Sequence, residues 1–462
     1  MPSATRLTVL ACAAFAFAYA LAPPGAHADA RSHAAYAPGV VLVKYATATA
    51  AHTREATARA AGAADPVAIA AHTRLLRLRP GVPIGAALAR LRRRRDVLWA
   101  VPDYTARTSE ALIPNDPGNG PAPGDWQQLQ WNFSGAPGFG VNAPEAWAHL
   151  AAAGARGGRG VVVAVLDTGI AYANRGPFVR SPDFTSHQFV AGYDFVDHDP
   201  YANDRNGHGT HVAGTIAEAT GNNLDLTGLA YGVRLMPVRV LDREGEGDAS
   251  VIASGVRFAV NHGARVINLS LEFSSEVTAS DIPELLEALR YAHRRGVVVV
   301  AAAGNEGRRA IAYPARAPNV ISVGAITEHG CLASFSNDGR ALTLVAPGGG
   351  PDADLPGDPN CHPELPAGRD IYQETFVGSS YRRFGMPSGY DGTSMATPHV
   401  AATAALIIAS RVLGSHPTPA QILARLRATA RRLGDPSDAY LYGAGLVDAG
   451  AATAPGGPGA VH

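Results

Sequence analysis

Long apolar runs separated by amphipathic stretches dominate the chain from about residue 126 to residue 452. Six runs have the length of strands and no polar alternation, which is typical of parallel strands covered on both faces. Four other stretches have helical length and spacing. The alternation predicts an α/β fold with a doubly wound parallel sheet, whose chemistry lies at the carboxyl ends of the strands. The predicted strands are Val161–Asp167, Leu235–Leu241, Ala264–Leu271, Gly296–Ala303, Val320–Ile326 and Leu342–Ala346, and the predicted helices are Ala249–His262, Asp281–Arg295, Ser394–Val412 and Pro419–Thr429.

A separate pattern occupies residues 36 to 107, ahead of a Pro/Gly-rich junction at residues 105 to 125. Strand-like and helix-like segments alternate there within some seventy residues, which predicts a small α+β domain. Its segments are a strand at Pro38–Tyr45, an Ala-rich helix, a strand at Arg74–Arg79, an amphipathic helix at Ala86–Arg95 and a strand at Val97–Tyr104.

The N-terminus has the three parts of an export signal. Arg6 supplies a positive charge, Leu7–Ala22 is apolar, and an A-x-A cleavage signature ends at Ala28. The apolar stretch is shorter than the roughly 20 residues of a membrane span. We expect residues 1–28 to be a signal peptide of a secreted bacterial protein without a stable membrane span. A lipid anchor at Cys12, within a weak lipid-attachment pattern, is the alternative.

The net charge of the chain does not indicate a polyanionic partner. Lys and Arg total 39, as do Asp and Glu, so the formal net charge is zero and gives no reason to expect nucleic acid or an anionic membrane as a partner. The run Arg92–Arg95 is interpreted as a solvated helix end, and Lys44 is the only lysine. After removal of a signal, Cys331 and Cys361 remain; in an exported protein they are expected to pair, with two free thiols as the alternative.

Three polar residues stand at positions suited to nucleophilic catalysis. Asp167 ends a predicted strand, His208 lies between glycines ahead of a helix starting near His211, and Ser394 precedes a buried helix. Each residue has an ordinary structural explanation when taken alone: a turn cap, a surface or core histidine, and a helix N-cap. A serine hydroxyl becomes a good nucleophile beside a base that a carboxylate orients, so the three together favour a hydrolase.

The flanking sequences resemble those of the subtilisin-like serine peptidases (subtilases), including their thermitase-like members. This resemblance implies that Ser394 is the nucleophile, His208 the general base and Asp167 the residue that orients the imidazole. It also implies that Asn305 donates to the oxyanion. The motifs that carry it are Val161-Val162-Val163-Ala164-Val165-Leu166-Asp167-Thr168-Gly169, Asn206-Gly207-His208-Gly209-Thr210-His211, Ala303-Gly304-Asn305-Glu306-Gly307 and Gly392-Thr393-Ser394-Met395-Ala396-Thr397-Pro398-His399.

The same resemblance assigns the domains. Residues 29–107 are expected to be an inhibitory propeptide that acts in cis, with an unrelated α+β domain as the alternative. Residues 108–454 are expected to be the subtilisin-like peptidase domain, and residues 455–462 a disordered tail. Cleavage between them is expected somewhere from Tyr104 to Pro114.

Substrate is expected to bind as an added strand, because peptidases recognise the main chain by β-pairing. By resemblance one edge is provided by Gly245 and Gly247, and the other by Ser270, Leu271 and Glu272. The family commonly has glycine where this chain has Glu272. With Glu306, this residue suggests the hypothesis of a preference for a basic residue before the cleaved bond. The alternatives are broad specificity, because glutamate at the Glu306 position is common in broad-specificity members, and a Glu272 side chain that turns to solvent.

Two structural Ca²⁺ sites are also implied by the resemblance, because calcium prefers six to eight oxygen ligands. The alternative for the first is a solvated acidic loop. In the second, Asp183 is offset by one residue from the expected spacing. The first set is Asp194, Asp197, Asp199, the Tyr201 carbonyl and Asn203, and the second is Asp116, Asp183, Asn222 and the carbonyls of Ala219, Leu224 and Leu226.

The expected protein is a secreted, monomeric serine endopeptidase that cleaves polypeptide substrates and processes its own zymogen. A catalytically silent protein of the same fold, acting as a binding module, is the alternative from another class. An α/β-hydrolase esterase is excluded, because its serine stands in G-x-S-x-G and comes first of the three residues, whereas Ser394 comes last.

Overall fold

An antiparallel sheet and two helices form the first of two units into which the chain divides, Met1–Thr108 and Ser109–His462. The computed structural model describes residues 36–104, 113–435 and 438–459. The predicted signal peptide, Cys12 and residues 105–112 of the predicted junction lie outside the described residues. The elements of this unit are β1 (Tyr36–Tyr45), α1 (Ala51–Ala60), β2 (Ala63–Ala70), β3 (Thr73–Leu78), α2 (Ile84–Arg92) and β4 (Val97–Tyr104).

The core of this unit follows from alternation along β1. Val41, Val43 and Tyr45 are buried, while Lys44 between them, opposite Thr73 and Trp99, is only partly buried. Their side chains pack with those of both helices and the other strands. The two-residue period therefore places one face of the sheet against the helices.

Strand β2 was not predicted from the sequence. It stands at the edge of the sheet, whose order is β2-β3-β1-β4. It contains Pro66, and its side chains are mostly exposed. Proline is tolerated in an edge strand because no neighbour requires its amide, so an edge strand of this composition gives little hydrophobic signal.

The second unit is a doubly wound α/β domain, as predicted. Its seven strands pair in parallel in the order β11-β10-β9-β8-β5-β7-β6. The chain reverses direction across the sheet between the adjacent strands β5 and β8, which is where such sheets bind ligands. These strands are β5 (Val162–Asp167), β6 (Tyr193–Asp194), β7 (Arg234–Arg239), β8 (Val266–Leu269), β9 (Val298–Ala302), β10 (Val320–Ile326) and β11 (Leu344–Pro347); β12 (Thr375–Phe376) and β13 (Phe384–Gly385) form a separate hairpin.

Helices surround this sheet. The four predicted helices are present with bounds shifted by up to two residues, while the helix at Ala143–Ala152 was missed despite Pro144 in its first turn. Nearly every residue of the central helix, Thr393–Ser410, is buried. The helices are α3 (Trp126–Leu129), α4 (Ala143–Ala152), α5 (His208–Ala217), α6 (Ala249–Asn261), α7 (Pro283–Arg294), α8 (Thr393–Ser410), α9 (Pro419–Thr429), α10 (Ala439–Tyr442) and α11 (Ala449–Thr453).

Two predictions concern the cysteine pair and the C-terminal tail of the second unit. Cys331 and Cys361 form a disulfide, so the predicted pairing is confirmed. The disorder of the tail from Pro455 onward stays a prediction; at Pro458 the backbone carbonyl accepts a hydrogen bond from the Arg425 guanidinium at 2.6 Å. Within the described residues, no helix is both long and apolar enough to cross a bilayer.

Candidate active site

The predicted catalytic residues meet at one edge of the parallel sheet. Asp167 is the last residue of β5, and Asn305 follows β9 by three residues. His208 opens α5 and Ser394 is the second residue of α8. His208, Asn305 and Ser394 line a cleft of about 550 Å³. The fold therefore brings together at one cleft groups that lie far apart in the sequence.

Asp167 and His208 form a buried pair. Asp167 Oδ1 accepts a hydrogen bond from His208 Nδ1 at 2.7 Å, and Asp167 is fully buried. Burial acts to lower the pKa of His208, but the charge and hydrogen bond of Asp167 outweigh it and hold that pKa above the usual 6.5. With Nδ1 bonded to the carboxylate, Nε2 is the ring nitrogen left to exchange a proton.

A second buried carboxylate, Asp204, organises the turn before His208, and sequence analysis missed it. Asp204 accepts hydrogen bonds from the Thr168 and Thr210 hydroxyls at 2.9 and 2.5 Å. It also accepts the backbone amides of Asn206, Gly207 and Thr210. An aspartate just before a helix is a recognised signal for such a turn, so the sequence offered a clue.

The close approach of α5 to Asp167 requires glycine at position 209. A Cβ there would lie 2.1 Å from the Gly169 carbonyl oxygen and 3.1 Å from Asp167 Oδ1. The Gly209 amide instead donates to the Thr168 hydroxyl at 3.0 Å. The glycine therefore allows His208 to reach the carboxylate.

Ser394 is held by the segment that follows β8. Its hydroxyl donates to the Ser270 carbonyl at 3.2 Å, and the Ser270 hydroxyl donates to the Ser394 carbonyl at 2.8 Å. The buried Asn268 amide donates in turn to the Ser270 hydroxyl at 2.9 Å. Ser394 thus reaches the cleft of His208 with its hydroxyl turned towards Ser270, and this role of the Ser270 side chain was not predicted.

The side-chain amide of Asn305 is fixed by its neighbours. Its Oδ1 accepts the Thr393 backbone amide at 2.8 Å and the Thr393 hydroxyl at 2.9 Å. Its Nδ2 therefore turns away from Thr393, and it lies 3.5 Å from Glu272 Oε1. An amide fixed in this way presents its N–H groups before any reaction begins, which is what an oxyanion site requires.

The residues predicted to bind substrate all line the same cleft, namely Gly245, Gly247, Ser270, Leu271 and Glu272.

The carboxylates of Glu272 and Glu306 differ in their surroundings, although both were predicted to favour basic substrates. Glu306 accepts the Ser275 amide at 3.2 Å and lies 3.7 Å from Arg308 Nε, and it is not among the residues that line the cleft. Hydrogen bonds from Ser275 hold the pKa of Glu306 below its usual value. Only one of the two predicted carboxylates therefore faces the cleft.

The sequence of this unit matches a known family over most of its length. A profile of the subtilase family, peptidase S8, matches residues 158–445, more than half of the chain. The chain belongs to the subtilase family.

Individual relatives agree with this assignment. Subtilisin Savinase of Lederbergia lenta is 41% identical over 296 residues, covering 64% of this chain and 91% of that protein. The thermostable alkaline protease of Halalkalibacterium halodurans is 38% identical over 298 residues, covering 64% of this chain and 68% of that relative. Among solved structures, a protease of Pseudoalteromonas arctica PAMC 21717 matches with a TM-score of 0.58 at 30% identity, covering 74% of this chain and 99% of its own. This subtilase is thus a serine endopeptidase by family.

In the first predicted calcium-binding loop of this subtilase, arginine side chains contact the aspartates. Arg239, almost fully buried, donates to Asp194 Oδ2 at 2.8 Å and lies 3.2 Å from Asp197 Oδ2. Arg205 also pairs with Asp197. Two of the three carboxylates of the predicted site are therefore already paired with arginine.

The rest of that loop is only partly engaged, because the buried Asn203 Oδ1 has no hydrogen-bond partner among the described residues. Asp199 accepts the Tyr201 amide at 2.7 Å, and the Asn203 amide donates to the Ala173 carbonyl at 3.0 Å. In the part of the chain that the structure describes, no three His, Cys, Asp or Glu side chains are grouped to hold a metal ion. Calcium at the predicted set, Asp194, Asp197, Asp199, Tyr201 and Asn203, would have to displace Arg239 and Arg205 from the carboxylates of Asp194 and Asp197.

The second predicted set of calcium ligands is brought together by hydrogen bonds around buried carboxylates. Asp116 is buried and accepts the amides of Gly221 and Asn222 at 2.8 and 3.0 Å. The Asn222 side chain donates to Asp183 Oδ1 at 2.6 Å, which joins Asp183 to the set despite its offset in sequence. The other oxygen of Asp183 is buried and has no hydrogen-bond partner among the described residues. Burial raises the pKa of Asp183 to about 8, so a cation nearby would stabilise its ionised form.

Proposed function

We propose that this subtilase is exported and hydrolyses peptide bonds in proteins by covalent catalysis at Ser394. The observation that carries the proposal is the 2.7 Å hydrogen bond between His208 and the buried Asp167 in the cleft that also holds Ser394. A buried carboxylate that orients an imidazole beside a serine is the arrangement that nucleophilic acyl transfer requires.

The proposed reaction begins with a rotation of the Ser394 hydroxyl from the Ser270 carbonyl to His208 Nε2. His208 then takes the hydroxyl proton while Oγ attacks the carbonyl carbon of the substrate. The resulting imidazolium is stabilised by Asp167 and gives its proton to the leaving amine as the peptide bond breaks. A water molecule then attacks the acyl carbon while His208 takes a proton from it. His208 gives this proton to Ser394 Oγ as the acyl bond breaks and the acid product leaves.

The tetrahedral intermediate places negative charge on the former carbonyl oxygen. Asn305 Nδ2 and the backbone N–H of Ser394 are proposed to donate to it. The Ser394 amide lies in the first turn of α8, where amides have no partner within the helix. Both donors are in position before the charge develops.

Residues 29–107 are proposed to act as an inhibitory propeptide in cis, with cleavage somewhere from Tyr104 to Pro114. The first unit comprises a four-stranded sheet with its own core, which is consistent with a part that folds as a unit. A seven-stranded parallel sheet has many long-range pairings and is slow to form, so a template for folding would be useful to it. The mature enzyme is proposed to act outside the cell as a monomer on polypeptide chains.

A serine-directed label tests this function. We expect a fluorophosphonate to add covalently to Ser394 in the secreted protein, and casein hydrolysis to stop in proportion to labelling. Peptide mapping by mass spectrometry locates the label. A folded protein that neither takes the label nor cleaves casein would instead be the silent binding module.

We also propose that Ca²⁺ binds at Asp116, Asp183, Asn222 and the carbonyls of Ala219, Leu224 and Leu226. The ion would supply positive charge to buried carboxylates and fix the beginning of the second unit to the loop after α5. It takes no part in the chemical step.

Thermal unfolding tests this site. On a Ser394→Ala background, which prevents self-digestion, saturating calcium is expected to raise the unfolding midpoint by about 3–4 °C relative to a chelator, because binding at 100 Kd contributes about 2.7 kcal/mol. Asp183→Asn keeps the size and an acceptor oxygen for Asn222 but loses the charge, and should abolish most of this shift. The matched control, Asp199→Asn, lies in the arginine-paired loop and should leave the shift intact. An equal calcium effect in Asp183→Asn would contradict the proposed ligand set.

A further inference from the structure

Glu272 places a carboxylate in the wall of the cleft of this subtilase, next to the segment that carries Asn305. It follows Ser270 and Leu271 on one edge of the cleft, and its Oε2 lies 2.9 Å from where a Cβ on Gly304 would stand. Gly304 immediately precedes Asn305. The Glu272 carboxylate therefore lies between the segment after β8, which is predicted to bind substrate, and the segment after β9, which holds the proposed oxyanion donor Asn305.

Among the residues that the structure describes, the Glu272 carboxylate has no counterion within 4 Å. Its Oε2 is shielded from solvent and has no hydrogen-bond partner among the described residues, while the Asn305 side-chain amide donates to Oε1 at 3.5 Å and the Asn305 backbone amide also donates to the carboxylate. Burial, with a smaller effect of the Glu306 charge, raises the pKa of Glu272 to about 7. A cation that entered the cleft would relieve the cost of burying this carboxylate.

The walls of the cleft suit a long, flexible cationic side chain. Leu271 and Phe273 flank Glu272, while Leu241 and Ile252 also line the cavity. Lysine and arginine place their methylene groups along apolar surfaces and their charge at a polar end. An uncharged apolar side chain would leave the Glu272 carboxylate buried without a partner.

We propose that Glu272 determines primary specificity by binding the guanidinium or ammonium group of an arginine or lysine residue immediately before the scissile bond. This inference rests on the proposed function, since it assigns the substrate of the same cleft. Glu306 has no part in it, because Ser275 and Arg308 already hold its carboxylate.

Matched peptides that differ only in the residue before the cut bond test this assignment. The wild type is expected to cleave Arg and Lys peptides with a kcat/KM at least about 10-fold above that for Leu and Phe peptides, because a polar site discriminates strongly against substrates that leave it unpaired. Glu272→Gln preserves shape and the contact with Asn305, so it should lower kcat/KM for the Arg and Lys peptides by about 10-fold or more and change the Leu value little.

Glu306→Gln is the matched control, since it removes an equal charge that is held away from the cleft. It should leave the Arg-to-Leu ratio unchanged. Enzyme concentrations are set by titration with the serine-directed label, and unfolding midpoints establish that each variant is folded. An equal fall of the ratio in Glu306→Gln would overturn the assignment, because a general negative potential would then explain the preference.

Failure of this inference is distinguishable from failure of the proposed function. If Ser394 is labelled and Leu or Phe peptides are cleaved as well as Arg peptides, the specificity assignment alone is overturned. If no peptide is cleaved and Ser394 takes no label in the folded protein, both are overturned.

Discussion

Ser394→Ala is expected to lower kcat for peptide hydrolysis on the order of 10⁶-fold, the size found when the nucleophile of a subtilisin is removed. The residue carries the atom proposed to form the covalent bond with substrate, while its hydroxyl makes one hydrogen bond within the described part of the chain, to the Ser270 carbonyl at 3.2 Å. Unfolding should therefore change little while catalysis is lost. Initial rates on a peptide substrate, beside the unfolding midpoint, separate the two effects.

The same variant reports on maturation through its intact mass after secretion. We expect the wild type to lose about its first hundred residues, as the proposed propeptide boundary requires, and Ser394→Ala to lose the signal peptide alone. Ser254→Ala, on the exposed face of α6, is the matched control and should mature and cleave like the wild type. Equal trimming of wild type and Ser394→Ala would mean that another protease performs the cleavage. Full-length wild type without activity on casein would favour the silent binding module.

Asp167→Asn is expected to lower kcat by about 10⁴-fold without disturbing the position of the side chain. The carboxylate selects the tautomer of His208 that leaves Nε2 free to accept a proton, and it stabilises the imidazolium; an amide does neither. KM should change far less, because Asp167 is fully buried and is not among the residues lining the cleft. Steady-state kinetics on one peptide check both quantities, and a loss below about tenfold would contradict the assigned role.

The pH dependence of this variant has a defined direction. The general base must be neutral, so kcat/KM of the wild type should rise with pH through the pKa of His208, which Asp167 holds above 6.5. In Asp167→Asn the burial that lowers this pKa remains while the main opposing charge is gone. The acid limb of its profile should therefore lie at lower pH than that of the wild type, although its plateau is far smaller. A limb displaced upward would mean that Asp167 does not govern the proton affinity of His208.

Buried elements of this fold could be predicted because their residue pattern is dictated by the environment. Parallel strands covered on both faces are mostly apolar, and the runs that become β5 and β7 to β11 satisfy this with few polar residues. The edge strands β2 and β6 have no such requirement: β2 contains a proline and β6 has two residues. Hydrophobic periodicity therefore does not reveal them.

Local motifs likewise defined the proposed catalytic residues but not their long-range partners. The pairing of Arg239 with Asp194 joins residues 45 positions apart, and nothing in either segment indicates that an arginine would neutralise the acidic loop. The different surroundings of Glu272 and Glu306 also depend on how the loops after β8 and β9 meet. Asp204 is the exception, because its spacing before α5 gave a local signal.

The position of Lys44 in β1 has a practical consequence for the mature enzyme. Since it is the only lysine in the chain, removal of the first unit would leave a protein without any ε-amino group. The new terminal α-amino group, with a pKa near 8, would be its sole primary amine. Amine-reactive supports and dyes would then couple at one point, so that every immobilised molecule would be attached through its N-terminus.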